Sequence, residues 1–503
     1  MTSRRRLAPA GLAAVVLLFL VVATRHATAP HDWNGALMSA GARNHLTLGY
    51  GRTMLGAATN NAPAPARLHF YTSHPPGLPL LLSVSFASFG VHEWSARLVP
   101  VGFAAGSIVL VYLLALGGGA PRPLLPAALF ALTPMTLYYG REVCHEAPTA
   151  FFLLLAALGF QRWESSGGRR ALAGTVAALA AGMLIDWPAY LLAGALPAVH
   201  LLRRGWRGAR PEVLLLPAAA VVGFAGHLTH VALLSGEAGL RGLLEVLVHR
   251  AGAAASDRPD EAGRFSSAAF AIVQLVRAAQ FFTPVVLVAG VVGLASLGRA
   301  RARPLSAAGA TVLALLLVAL LHVVLFRQGA WIHPYWLYYF GPPLALAAAP
   351  VLLAVHRRSP AGAAALGLAA LAWSGLVTRN LFRYRPPPVR ELARFVEHRA
   401  GPETELLTNH GSLSAPVGFY ARRDAGLDAV AGIPALEAAI AGAGGPVAVL
   451  VDEGHHGAGE IGPWLERRAR AETWTGAGRR YRLYLLPQKP RKNSSAGGGQ
   501  GGR

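Results

Sequence analysis

Along the chain, apolar runs of roughly 15 to 25 residues alternate with short polar stretches, the pattern of a helical membrane protein. The first run, Leu7–Thr24, follows the basic segment Met1–Arg6. Arg25–Pro76 is then polar over most of its length. Gly77–Gly90 is apolar but short, as for a helix lying along a membrane interface or dipping into it. Further runs fall at about 94–116, 123–139, 147–163, 171–185, 188–202, 211–234, 271–297, 305–326, 337–355 and 360–378. With a crossing taking about 20 apolar residues, the pattern predicts about eleven spans. From 384 to 487 the pattern changes. Val389–His398 reads as an amphipathic helix, and Glu405–Thr408, Leu427–Val430, Val447–Val451 and Arg480–Leu486 as short strands. That mixture predicts a small α/β domain. Gln488–Arg503 is Gly/Ser-rich and basic, the composition of a disordered tail. The expected partition is 1–378 within the membrane, with a first loop and interfacial helix over 25–90, then a domain over 379–487 and a tail over 488–503.

Composition sharpens this picture. Of 503 residues, 53% are hydrophobic and only 14% charged, where soluble domains carry roughly 25% charged residues. An ordinary soluble enzyme and a disordered chain are both excluded. The net charge of +22 is almost all arginine, since Lys489 and Lys492 are the only lysines. Arg122, Arg162, Arg169-Arg170, Arg203-Arg204, Arg299–Arg303 and Arg357-Arg358 all fall on the side of Met1. The positive-inside rule then makes that side cytoplasmic and puts the Asp32 loop and the region after Arg379 outside. Topology, not nucleic acid, accounts for the basic charge. Ala27-Thr28-Ala29 looks like a signal cleavage site, yet Leu7–Thr24 reads better as a retained first span. The single cysteine, Cys144, excludes an intramolecular disulfide and a Cys-based zinc site.

Polar residues collect in four clusters on the expected outer side. These are His31-Asp32-Trp33-Asn34; Tyr71-Thr72-Ser73-His74-Pro75-Pro76-Gly77; Tyr138 to Glu146; and Arg327 to Trp336, which includes His333-Pro334-Tyr335. Ionisable groups at a membrane boundary are costly unless paired or wetted, so such clusters mark a working cavity.

Three passages carry a resemblance. One is the acid soon after the first span, in His31-Asp32-Trp33. Another is His74-Pro75-Pro76-Gly77 with its apolar helix, followed by Phe89-Gly90 and Ala96-Arg97-Leu98-Val99-Pro100. The third is Thr133-Pro134, Tyr138-Tyr139-Gly140-Arg141-Glu142. In order and spacing the chain resembles the GT-C superfamily of integral membrane glycosyltransferases, nearest its protein O-mannosyltransferase and aminoarabinose-transferase branch. The match covers about residues 1–200. Two departures stand out: Asp32 is followed by Trp33 where many relatives have a second acid, and Asp186 stands where many have a lysine.

The resemblance implies an all-α polytopic fold of GT-C type with a small extracytoplasmic α/β domain, in the cell inner or plasma membrane. It implies a polyprenyl-phosphate sugar donor and a hydroxyl acceptor on a lipid, glycan or protein, with inversion at C1. It requires no cofactor, and the need for a divalent metal stays open. Asp32 suits the catalytic base, since a placed carboxylate contributes about 10²–10⁴-fold. Arg141 and Arg327 suit the lipid phosphate, with His333 as a further donor. Glu142, His74 and Tyr335 complete the expected substrate-binding set. Each also has a plain structural reading: Asp32 as a helix cap, Arg141–Glu142 as a surface pair, His74-Pro75-Pro76 as a helix start, Arg327 as a snorkelling side chain, and His333 and Tyr335 as an aromatic belt. No metal site is expected at His145-Glu146, whose neighbours diverge on a helix, nor at His455-His456. Two rival functions remain at this stage: a lipid or solute transporter, and a catalytically inactive scaffold of the same fold.

Overall fold

The computed structural model describes residues 2–59, 68–252, 266–299, 305–383, 388–401, 404–422, 430, 432–443, 445–455 and 457–486. The expected tail, strand residues 427–429 and His456 lie outside them. The chain divides into two units, residues 1–58 with 70–385, and 59–69 with 386–503.

The first unit is helical. It contains α1 (Thr2–Ala23), α2 (Trp33–Leu48), α3 (Tyr50–Thr53), α4 (Gly77–Phe89), α5 (Glu93–Gly117), α6 (Leu124–Ala131), α7 (Glu146–Ser166), α8 (Arg169–Met183), α9 (Pro188–Gly208) and α10 (Leu215–Arg250). After these come α11 (Ser267–Phe282), α12 (Pro284–Arg299), α13 (Ala307–Leu325), α14 (Arg327–Ile332), α15 (Gly341–Arg358) and α16 (Pro360–Arg383). A two-residue antiparallel pair, β1 (Ala57–Ala58) with β2 (Phe70–Tyr71), leads the chain back toward α4.

Among the described residues, five helices are long and apolar enough to cross a membrane, or six if a bent pair is one span. The chain is thus a multi-pass membrane protein, and among the described residues several of the expected runs depart from a single regular helix. The 123–139 run is not one helix: α6 stops at Ala131, and Met135–Tyr139 forms a π turn after Pro134. Proline lacks an N–H and clashes with the preceding turn, which breaks the ladder there. The 271–297 run is two helices bent by 110°, with Thr283 between them at φ 64. α8, at 15 residues, is about 23 Å long and falls short of a ~30 Å hydrocarbon core. The 211–234 run continues to Arg250, broken at Gly236, whose φ of 60 glycine adopts without strain. Arg25–Pro76 is not simply a loop, because it holds α2 and α3.

Small residues set the tightest packing. A Cβ on Gly293 of α12 would stand 2.0 Å from the Ala347 carbonyl oxygen of α15. Gly290, one turn earlier, meets Leu344 in the same way. Such stripes let two backbones approach where no hydrophobic force distinguishes helix from lipid. Arginines do more than set topology: Arg203 and Arg204 both donate to the buried Glu164, which also meets His200.

The second unit carries a four-stranded sheet in the order β3 (Glu405–Thr408), β4 (Val447–Asp452), β6 (Arg479–Leu486), β5 (Ala471–Gly476). β3 and β4 run parallel, with Glu405 opposite Val447. β6 is antiparallel to both its neighbours. Every residue of β4 is buried, because helices cover both faces. α17 (Val389–Glu397) and α18 (Gly411–Tyr420) pack with Ala448 and Leu450, while α19 (Ile433–Gly442) and α20 (Ala458–Glu466) pack with Val447, Val449 and Val451.

Candidate active site

Asp32 occupies the turn between α1 and α2, where it caps α2: its Oδ1 accepts from the Gly35 N–H at 2.7 Å. A carboxylate is favoured at a helix N-terminus, where it satisfies an orphan donor. The cap alone does not fix this turn. Arg97, buried near the start of α5, donates to the carbonyls of Ala27 (2.8 Å), Ala29 (2.7 Å) and Pro30 (3.2 Å). Arg141, also buried, donates to the Arg25 carbonyl and to Glu142 Oε1 (3.1 Å), and its guanidinium lies 4.8 Å from the Phe382 ring centre. Two arginines far apart in sequence therefore grip the backbone that leads into Asp32.

Asp32 keeps exposed surface, with protein packed closely around its carboxyl. Its pKa is raised from 3.8 to about 6. Loss of hydration is the main cause and the neighbouring Glu142 carboxylate the second, opposed by the Gly35 N–H and by Arg97. Of the expected acids, Asp32 and Glu142 thus come together.

A second strand of contacts starts two residues later. The Asn34 amide donates to the Tyr335 hydroxyl. Tyr335 also meets His333 Nδ1 at 2.9 Å, and His333 Nε2 meets Arg250 Nη1 at 3.2 Å. Arginine has no acceptor, so it must donate to Nε2. His333 then carries its proton on Nδ1 and donates it to Tyr335. With two donors already directed at its oxygen, Tyr335 keeps its own proton for another acceptor. Burial, aided by Arg250 and Arg277, lowers the His333 pKa to about 3, so this ring is neutral.

The third group forms around Asp186, in the turn between α8 and α9. Asp186 accepts from the Trp187 N–H (2.7 Å) and the Tyr339 hydroxyl (3.0 Å), and stands 3.5 Å from His74 Nε2. His74 Nδ1 meets the Tyr71 hydroxyl at 2.7 Å, and its ring stacks on His145 at 4.4 Å. Burial first, then the neighbouring His145 ring and the Arg250 charge, holds His74 well below the usual histidine range, and burial alone brings His145 to about 4. Burial also raises Asp186 to about 7, and, with Asp186 adding repulsion, Glu146 to about 8. The segment is docked through Gly77: its N–H donates to the Leu184 carbonyl at 2.7 Å, and a Cβ there would stand 2.3 Å from that oxygen. Trp187 Nε1 donates to the Ser73 carbonyl at 3.0 Å.

Beside these groups lies an apolar cavity of about 220 Å³, bounded by His74, Trp187, Leu244, Arg250, His322 and Trp336. Arg250 is the cation at its wall. Arg250 is not among the expected site residues, since it lies beyond the apolar run expected at 211–234. The basic end of a long apolar run, Val248-His249-Arg250, was the available signal. In the sequence Arg97 stands only as part of the Ala96-Arg97-Leu98 passage. Arg327, in contrast, is half-buried on another set of partners: it donates to Ser267 Oγ at 3.0 Å and covers Phe270. No group of three or more His, Cys, Asp or Glu residues stands close enough to hold a metal ion among the described residues.

A model of the dolichyl-phosphate-mannose-protein mannosyltransferase family matches residues 73–230, which takes in the His74 and Arg141 passages but not Asp32. No curated protein sequence matches the chain. Solved structures share its fold. ArnT from Cupriavidus metallidurans in the apo state aligns with a TM-score of 0.64 at 14% identity, over 95% of this chain and 98% of that one. The same protein bound to undecaprenyl phosphate gives 0.61 at 14%, over 94% and 97%. The oligosaccharyltransferase AglB from Archaeoglobus fulgidus, in complex with an inhibitory peptide and a dolichol phosphate, gives 0.61 at 12%, over 94% and 74%.

Proposed function

We propose that this chain, a membrane glycosyltransferase of the GT-C type, moves a sugar from a polyprenyl-phosphate donor to a hydroxyl on a lipid, glycan or protein. The reaction takes place at the outer face, with the first helix entering from the cytoplasm and the 379–487 domain outside.

Three tasks define the chemistry. The acceptor hydroxyl must lose its proton as it attacks C1, and Asp32 takes it. A carboxyl with pKa about 6 is ionised at neutral pH, yet more basic than an ordinary aspartate. The departing phosphate needs a fixed positive charge, and Arg250 at the cavity wall supplies it, with the wall itself taking the first isoprene units. The sugar needs oriented donors and acceptors. The Tyr335 proton left over from its two incoming hydrogen bonds provides a donor, and Glu142 an acceptor. Attack from the side opposite the phosphate inverts C1. Arg141 and Arg97 position Asp32 rather than touch the donor, since Arg97 is held by backbone carbonyls and Arg141 by the Arg25 carbonyl and Glu142.

One observation carries this reading. The segment holding Asp32 and Asn34 meets both the Arg141–Glu142 loop and the His333–Tyr335 loop, so three polar clusters scattered through the sequence converge. The test is Asp32→Asn in a deletion strain, with mass spectrometry of lipids, glycans and envelope proteins. Wild-type chain restores one hexose- or pentose-sized mass. The variant should fall about 10²–10⁴-fold in turnover while still binding donor. Undiminished transfer by the variant rejects Asp32 as base.

A further inference from the structure

A second cavity, of about 330 Å³, opens between the far ends of α5, α7, α12, α13 and α15. Arg97, which grips the Asp32 turn, and Gly117 at the other end of α5 are 20 residues apart in one helix, about 30 Å. The two cavities therefore lie at opposite ends of the helical unit, and nothing in the transfer chemistry uses the second one.

Its lining combines two kinds of surface. The walls are apolar, with Leu114, Val312 and Leu353 among them. Arg122 and Arg357 stand at its edge, both exposed. Neither has an acidic partner among the described residues. This sets them apart from Arg203 and Arg204, which are consumed by Glu164. A third polar group faces inward: Gln161 is buried, its Nε2 donates to the Leu114 carbonyl at 3.3 Å, and its Oε1 has no donor. A buried acceptor without a partner is costly, so the occupant has to offer a donor there. The volume suits on the order of ten methylene-sized groups. Free phosphate would satisfy the arginines and leave the apolar walls wet.

We propose that this cavity holds an anionic glycerophospholipid: one acyl chain against the apolar walls, the phosphate between Arg122 and Arg357, and a headgroup hydroxyl donating to Gln161. Basic pockets between membrane helices favour such headgroups, and positive-inside topology faces these arginines toward the anionic cytoplasmic leaflet. Phosphatidylglycerol has the required charge and hydroxyls; phosphatidylcholine has neither.

The test uses the full chain in nanodiscs of equal phosphatidylglycerol and phosphatidylcholine, released into native mass spectrometry. One retained phosphatidylglycerol per chain is expected. Retention should drop at least tenfold in R122Q/R357Q. It should also drop in Ala349→Phe, which fills the wall and leaves both arginines in place. Equal retention of phosphatidylcholine by wild type overturns the charged seat. Displacement of the lipid by millimolar inorganic phosphate overturns the lipid as occupant. Unchanged retention in either folded variant overturns the location. The wild-type comparison decides even where a variant fails to assemble.

Discussion

Glu142→Gln tests the electrostatics of the base directly. The substitution keeps the side chain's shape and a hydrogen-bond acceptor for Arg141, but removes the charge that opposes ionisation of Asp32. On the proposed mechanism transfer needs Asp32 deprotonated, so rate falls as pH drops through its pKa. With that pKa at about 6, about 9% of wild-type chains carry an ionised base at pH 5. Losing the Glu142 charge lowers the Asp32 pKa and moves the acid limb down. Dehydration, the larger cause of the shift, persists, so the limb stays above 3.8. Full return to 3.8 would ionise about 94% of chains at pH 5, a gain of about tenfold, which is the upper bound. The variant's rate at pH 5, relative to its own plateau, should therefore exceed the wild-type ratio by a factor between one and about ten. The assay is transfer of radiolabelled sugar from lipid donor across pH 4.5 to 8, normalised to each plateau. An acid limb that stays put, or moves up, refutes the coupling between these two carboxyls. A limb that persists unchanged in Asp32→Asn refutes the base.

Arg250→Gln should raise the KM for donor about 10- to 100-fold, as expected for losing a charge-assisted contact of ~1.5–3 kcal/mol, whereas Arg327→Gln should change it little; equal effects from both would unseat Arg250 as the phosphate's partner. Gly77→Val should reduce transfer and disturb the Ser73–Gly77 segment, because its side chain enters the space of the Leu184 carbonyl; a fully active variant would contradict the docking of His74 against Asp186. Gly293→Val should lower stability by about 1–3 kcal/mol, the usual cost of overpacking, read as a fall in Tm in detergent, and an unchanged Tm would mean α12 and α15 are not held at this distance.

Hydrophobic patterning located most helices, because long apolar runs report burial directly. It erred where backbone geometry overrides composition. Pro134 and Thr283 break apolar runs that look continuous, and Gly236 marks where a helix bends on rather than ends. The strands at 405–408 and 447–452 were legible from their runs, while β5, Ala471–Gly476, alternates too weakly to read. At the candidate site, residue types single out Asp32, Glu142, His333 and Tyr335, since isolated polar groups between apolar runs stand out. Roles were harder to read than positions. Arg141 offered a fork for phosphate on paper, yet its guanidinium is taken by the Arg25 carbonyl and Glu142, and sequence carries no mark of a backbone partner. Arg327 and Arg250 look alike as letters; only tertiary placement puts one against Ser267 and the other against His333.

The hold that Arg97 and Arg141 exert on residues 25–30 has a consequence for how such proteins diverge. Every one of those bonds ends on a peptide oxygen, which all twenty amino acids supply. Substitutions in that stretch leave the anchoring chemistry untouched, so its letters are free to drift while the carboxylate beyond it stays aimed. A matching method that scores residue identity is blind to a constraint of this kind. Architecture can then outlast recognisable sequence, as it does in comparisons at 12–14% identity.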